Sequence, residues 1–471
     1  MSALAQASGR PGAWLSVRAR RDRVAAGAAL AAFAVLCAVA LSAAPRLVEP
    51  DDYAYRASIV AMTHGHFLTL STAQVQALAA QLPGPGPAGL VPAGIPQWVQ
   101  LAGGQWISEK DPGYPFLAAP FQALGLIRLA PLFYGALGCL GLYAGARRWL
   151  GTWGGPAAVG LFCSSGAAML FAWRDYMPTF TDASLIAAGT GTLLWAVLAT
   201  GASPARRAGA GLAAFAALEV ATFVRYTDVV VLGCAVAAVT AAWRVRAVPG
   251  IALAWWLGSV AVCGAGVAVF DDLVYGGPLT SGYRPGEITF SLSAVPPNLR
   301  YMPAHLIVAM PVFLLGAAGL VWIIARWARR RRADGEHAER VRRDLAVGLA
   351  LAASWFAVWG LYAAYTWTAG PFGSTLQVAR FYVPALGAIA LLGAWLLVRS
   401  RAWLAALVVA VMFGLGAWSF TTMHDFSLGG GNVVHGVPSV RPARMAGAAA
   451  LSRPLSRSAD PTEWPGRSSA R

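Results

Sequence analysis

Charge is scarce in this chain of 471 residues, where Asp, Glu, Lys and Arg make up only 12% and 58% is hydrophobic. That supply cannot cover a soluble domain with a polar shell, and a mean hydropathy of +0.58 agrees. Lysine is nearly absent: 35 of the 36 basic residues are Arg, which reads as a coding bias of GC-rich DNA and leaves Lys110 conspicuous. The five cysteines, Cys37, Cys139, Cys163, Cys234 and Cys263, all fall inside apolar runs, with neither metal-ligand spacing nor outer-loop pairs for a disulfide framework. No phosphate-cradling glycine loop, zinc pentapeptide or nucleophile elbow stands in a suitable context. The net charge of +16 would point to nucleic acid if basic residues interleaved with aromatics on soluble elements, but here they cap the ends of apolar runs.

What the chain does have is apolar runs of spanning length along most of its course, which predicts an all-α polytopic membrane protein of about eleven transmembrane helices. The expected spans are about 24 to 44, 129 to 146, 154 to 172, 183 to 200, 208 to 223, 229 to 242, 251 to 270, 303 to 325, 345 to 367, 382 to 398 and 402 to 420. The runs at 208 to 223 and 229 to 242 are short, and a hairpin that fails to cross would leave the sidedness of later loops unchanged. Arg18, Arg20, Arg21 and Arg23 followed by an apolar Val24 to Ala44 imitate a signal peptide. The run is long for one and more spans follow, so it reads as an uncleaved first helix. The organisation is then a segment 1 to 23, a transmembrane domain 24 to 420 with a long outer loop 45 to 128, and a weakly ordered outer tail 421 to 471. Two surface helices are expected in the long loop, Tyr53 to Met62 and Pro115 to Leu126.

Basic residues in short loops are retained on the cytoplasmic side, and 21 of them fall on one set of alternate connections, with nine opposite and six in the tail. This predicts a cell-membrane protein with a cytoplasmic N-terminus. Acids run the other way: 12 of 20 lie in or near the outer loops. Acidic residues contribute little to topology, so a binding or catalytic surface on the extracytoplasmic face is one explanation.

Several clusters there carry chemistry. Glu49, Asp51 and Asp52 follow the first span; adjacent carboxylates repel, which raises the pKa of one, although Asp51 also suits an N-cap. Lys110 lies between Glu109 and Asp111, where a lysine grips phosphate as a point charge or is one member of an exposed charge run. Asp182 and Asp228 precede apolar helices and read as caps, whereas Glu219 lies within an apolar run and calls for a polar cavity or a partner such as Arg225. The glycine- and aromatic-rich segment 271 to 302 suits a groove for a lipid-linked ligand, with Arg284 or Arg300 meeting a phosphate, or else an interface anchor. Arg380 stands where an outer loop enters the tenth span. His64 and His66 lie near the acidic pair but are too sparse for a metal set.

The stretches EPDDYAYRASIVAMTHGHF, EKDPGYPFLAAPFQALG, RDYMPTFTDAS, YGGPLTSGYR and ARFYVPALGAIALL, in this order, resemble the GT-C superfamily of membrane glycosyltransferases, which includes protein O-mannosyltransferases and aminoarabinose transferases. In such enzymes the first outer loop carries an acidic pair, usually Asp-Glu, and Asp51 and Asp52 match it with a conservative change at the second position. The resemblance implies transfer of a sugar from a polyprenyl-phosphate donor to a lipid, glycan or protein acceptor. It implies catalytic roles for Asp51 and Asp52, with Asp51 as the base that deprotonates the acceptor or the residue that orients it. Lys110, Arg284 and Arg380 would hold the donor phosphate, and Arg56, Asp182 and Tyr283 would line the pocket. Members differ in metal use, so a divalent cation is allowed but not required. The rival reading is a multispan transporter or flippase for a lipid-linked or anionic solute, which should bury charge at mid-membrane between two matching halves.

Overall fold

The computed structural model describes residues 11–44, 47, 50–66, 69–80, 97–101, 104–283, 286, 288–330, 335–369 and 376–429. Sixteen α-helices are found among them. They are α1 (Pro11–Leu41), α2 (Pro50–Thr63), α3 (Thr72–Ala79), α4 (Gly113–Ala123), α5 (Ala130–Leu150), α6 (Gly154–Cys163), α7 (Gly166–Trp173) and α8 (Thr179–Leu198). The chain continues with α9 (Pro204–Val224), α10 (Val229–Arg244), α11 (Gly250–Tyr275), α12 (Val295–Ala309), α13 (Val312–Arg330), α14 (Glu336–Ala363), α15 (Leu386–Leu397) and α16 (Ala402–Gly429).

The described residues hold nine helices long and apolar enough to cross a membrane, and a tenth span if the bent pair α6 and α7, at 63° to one another, counts as one. This is a multi-pass membrane protein. The expected span at 382 to 398 is an apolar helix only from Val383 to Leu397, short of the usual crossing length, so the described residues do not confirm a count of eleven. The expected span at 303 to 325 is divided. Pro311 lacks an N–H and disfavours helix at Met310, so α12 stops at Ala309 and the crossing is α13. The short runs are longer than expected, Pro204–Val224 and Tyr226–Arg244, and both suffice to cross. Helix α1 spans Pro11–Leu41 and α16 spans Ala402–Gly429, so helix continues across positions 23 and 421.

Close approach of α5 and α8 forms the centre of the bundle. Gly138, Gly141 and Gly145 recur at helical spacing on α5 and meet the backbone of Ser184, Ala188 and Gly191 on α8, where any Cβ would collide. Without a hydrophobic drive between helices in lipid, such small-residue contacts let van der Waals packing hold the pair. The long loop between α1 and α5 contains more than its expected helices. Strands β1 (Thr69–Leu70), β2 (Trp98–Gln100) and β3 (Trp106–Ser108) form an antiparallel sheet in the order β1-β3-β2. Its Trp98 and Trp106 pack with Ala54, Ala57 and Ala61 of α2, so the sheet and α2 share a small core of their own. Ser71 and Gln74 cap α3 reciprocally, as their spacing in sequence would indicate.

Polar groups gather at both ends of the bundle. At one end Asp344 pairs with Arg399 at 2.8 Å and Arg326 at 3.6 Å, and Asp22 with Arg147 at 2.8 Å. The other end holds α2, the sheet and the candidate site.

Candidate functional site at the polar end of the bundle

Helix α2 begins with Pro50 in its first position, and Asp51 and Asp52 in its first turn suit the positive end of the helix dipole. Consecutive helical residues project about 100° apart, so the two carboxylates part company. Asp52 turns inward to Arg174 at 2.6 Å, both side chains 1% exposed. Asp51 turns toward two cations: its Oδ1 lies 3.2 Å from Lys110 Nζ and its Oδ2 lies 3.2 Å from Arg380 Nη2. The expected mutual repulsion is thereby replaced by separate ion pairs. Burial acts to raise the Asp51 pKa, but Lys110, Arg380 and a hydrogen bond with the Gln97 side chain outweigh it and hold the carboxyl well below its usual range.

The cations come from distant parts of the chain and are fixed from behind. Pairing of Trp98 with Ser108 sets the end of β3, and Lys110 follows two residues later at the entry to α4. Lys110 Nζ donates to the Tyr283 hydroxyl at 3.2 Å and sits 5.0 Å from that ring's centroid. Burial and Arg380 disfavour its ammonium, yet Asp51, Tyr55 and Glu109 raise its pKa above the ordinary value. Arg380 lies in a 3-10 turn, Leu376–Phe381, with its guanidinium 4.9 Å from the Phe381 ring and 5.7 Å from Trp367. Its carbonyl accepts from Arg225 Nη1 at 3.5 Å.

Asp182 is not an N-cap: it lies inside α8, fully buried, with Arg225 at 3.7 Å and Asp228 beside it. Asp228 precedes α10 but caps no backbone N–H with its side chain. Glu219 does not meet Arg225; it accepts from the Ser259 hydroxyl at 3.0 Å. Arg56 packs on Tyr176 at 5.6 Å, away from the Asp51 cluster. Arg284 and Glu49 lie outside the described residues. His66 meets Gln74 at 3.1 Å and His64 meets the Val60 carbonyl at 2.8 Å. Among the described residues no three His, Cys, Asp or Glu converge as a metal set, and both carboxylates of the acidic pair are already matched with cations.

Two polar neighbours that the sequence offered only as partners of other residues lie at the site. Arg225, at the extended C-cap of α9, links Asp182 to the Arg380 turn. Asp111 follows Lys110, and burial, only partly opposed by Lys110, pushes its carboxyl up to about 7. A cleft of about 20 Å³ opens beside Lys110 between Ser58, Met62, His66, Trp98 and Tyr275, room for roughly one water.

No known protein family and no curated protein sequence matches the chain. Solved structures do. ArnT from Cupriavidus metallidurans bound to undecaprenyl phosphate superposes with a TM-score of 0.50 at 15% identity, over 85% of this chain and 70% of that one. The fold is GT-C-like. The apo oligosaccharyltransferase of Archaeoglobus fulgidus gives a TM-score of 0.49 at 11% identity over 84% of this chain, which spans only 56% of its length. Within this GT-C-like fold the Asp51 cluster lies where the long first loop, the α4 entry and the turn before α15 meet.

Proposed function

We propose that this chain is a membrane glycosyltransferase that moves a hexosyl or pentosyl group from a polyprenyl-phosphate donor to a lipid, glycan or protein acceptor. The observation that carries the reading is the convergence of Lys110 and Arg380 on Asp51 at one polar end of a membrane bundle. A base for the acceptor and two cations for a phosphate are the groups this transfer needs, at the depth where a lipid presents its head. The ArnT structure of like fold holds undecaprenyl phosphate, which supports the choice of donor.

In this mechanism Lys110 and Arg380 bind the donor phosphate, Lys110 as a point charge and Arg380 as a planar fork. Asp51 takes the proton from the acceptor hydroxyl or amine as that atom bonds to the anomeric carbon. The bond from carbon to phosphate oxygen breaks, and its electron pair leaves with the phosphate, whose growing charge the two cations stabilise. Tyr283 positions Lys110. Asp52, sealed against Arg174, is a positioning residue that fixes the start of α2. Energy for transfer is already present in the donor, so no nucleotide site is required. The Arg-rich opposite end supports a cytoplasmic N-terminus and an extracytoplasmic site.

The broken pair α6 and α7 is the feature that favours a transporter, since discontinuous helices line many transport sites. Its break is closed, however: Gly166 packs on Ser419 and Gly416 on the Ser164 carbonyl. Membranes containing the chain, supplied with radiolabelled polyprenyl-phosphate sugars, should transfer label, and Asp51→Asn should lower the rate by about a hundredfold or more. Full transfer by Asp51→Asn would remove the assigned base; movement of label across the membrane without transfer would favour the transporter.

A further inference from the structure

The two cations that a donor phosphate requires are already taken. Asp51 bridges them with one oxygen on each, 3.2 Å from Lys110 and 3.2 Å from Arg380. Behind them Lys110 donates to Tyr283, and Arg380 lies against the faces of Phe381 and Trp367. An incoming anion that takes both cations competes with the carboxylate already there.

Resting on the donor-site reading above, we propose that Asp51 is a displaceable counter-ion, which the donor phosphate drives off Lys110 and Arg380 and thereby releases to act as base. A carboxylate that bridges two cations is a poor proton acceptor, because both stabilise its charged form. Once a phosphate holds those cations, Asp51 loses two attractive partners and gains a negative neighbour. Both changes raise its affinity for a proton. The base is therefore weak until the donor is seated, which fixes the order of events: donor first, then deprotonation of the acceptor. The same exchange works in reverse. After transfer the acceptor proton resides on Asp51, and its release to solvent restores a carboxylate that competes for Lys110 and Arg380 and helps expel the product phosphate.

The test uses the full chain in detergent, with undecaprenyl phosphate as probe and undecaprenol as its uncharged control. Calorimetric titration should show Asp51→Asn binding undecaprenyl phosphate about tenfold more tightly than the wild type, because its competitor is gone. Equal or weaker binding by Asp51→Asn overturns the exchange, since Asp51 would then be holding the cations in place for the phosphate. A second measurement needs no variant. Carbodiimide labelling of Asp51 in the wild type, located by peptide mass, should rise several-fold with saturating undecaprenyl phosphate and not with undecaprenol. Unchanged or reduced labelling while the phosphate binds overturns the exchange and leaves the donor site standing. Binding of undecaprenyl phosphate no tighter than that of undecaprenol, in both proteins, overturns the donor reading itself.

Discussion

Arg174 Nη2 lies 2.6 Å from Asp52 Oδ2, and this pair joins the start of α2 to the turn between α7 and α8. It seats a loop helix on the bundle at the point where the next residue back, Asp51, must reach its cations. Breaking a buried pair from one side is costly because the survivor keeps its charge and loses that counter-ion. Arg174→Met should therefore destabilise by about 3 to 5 kcal/mol. Asp52→Asn, which keeps an acceptor oxygen, should cost less. Thermal unfolding in detergent ranks the two, and an Arg174→Met protein as stable as the wild type would mean that the pair does not anchor α2.

Lys110 is expected to act on the donor rather than the acceptor. Lys110→Ala removes both the Asp51 contact and the hydrogen bond to Tyr283, at 3.2 Å each. In the transfer assay the KM for the polyprenyl-phosphate sugar should rise by about tenfold or more, with little change in acceptor KM. An effect confined to the acceptor would move Lys110 out of the donor site.

Asp111 gives the site a pH dependence. Burial, against the opposing pull of Lys110, holds its carboxyl up at about 7, above the 3.8 of a free aspartate. Between those values the folded protein binds more protons here than the unfolded chain, so stability falls as pH rises from about 4 to about 7. Asp175, raised by burial to about 6, adds a slope of the same sign that ends earlier. Asp111→Asn should flatten the Tm profile between about pH 6 and 7 while leaving the Asp175 slope below it. An unaltered profile would show that Asp111 does not titrate there. Ionisation of Asp111 also supplies a second carboxylate beside Lys110, so donor KM should climb above about pH 7 in the wild type and less so in the variant.

Much of this was legible in the sequence because lipid imposes a simple rule on composition: runs such as Val24 to Ala44 had to be helices. Crossing length was less legible where a backbone constraint intervened, as at Pro311. Asp51, Lys110 and Arg380 stood out singly, since a charge next to an apolar run is unusual. Their meeting on one another did not, because it depends on how the loop, α4 and the Arg380 turn fold together over more than three hundred residues of separation. Arg225 had a visible signal, a lone Arg between two apolar runs, but its partner was misassigned to Glu219 because helical proximity in sequence outweighed the unknown packing of α8 against α9. Gln97 carried no signal at all. Its role depends on the sheet that Trp98 and Trp106 build, and short strands in a Pro- and Gly-rich loop leave little periodicity to read.

Tyr283 touches Lys110 in two ways, through its hydroxyl at 3.2 Å and its ring at 5.0 Å, and the two are separable. Tyr283→Phe removes the hydrogen bond but keeps the aromatic face, so the ammonium remains attracted to the ring and donor KM should rise only a few-fold. Tyr283→Ala removes both and opens space behind the lysine, so its ammonium is no longer held toward Asp51 and the phosphate. That variant should approach the loss seen for Lys110→Ala. If Tyr283→Phe were already as damaged as Tyr283→Ala in the transfer assay, the hydroxyl itself would be the group that matters, and Tyr283 would donate a hydrogen bond directly to the phosphate rather than position Lys110.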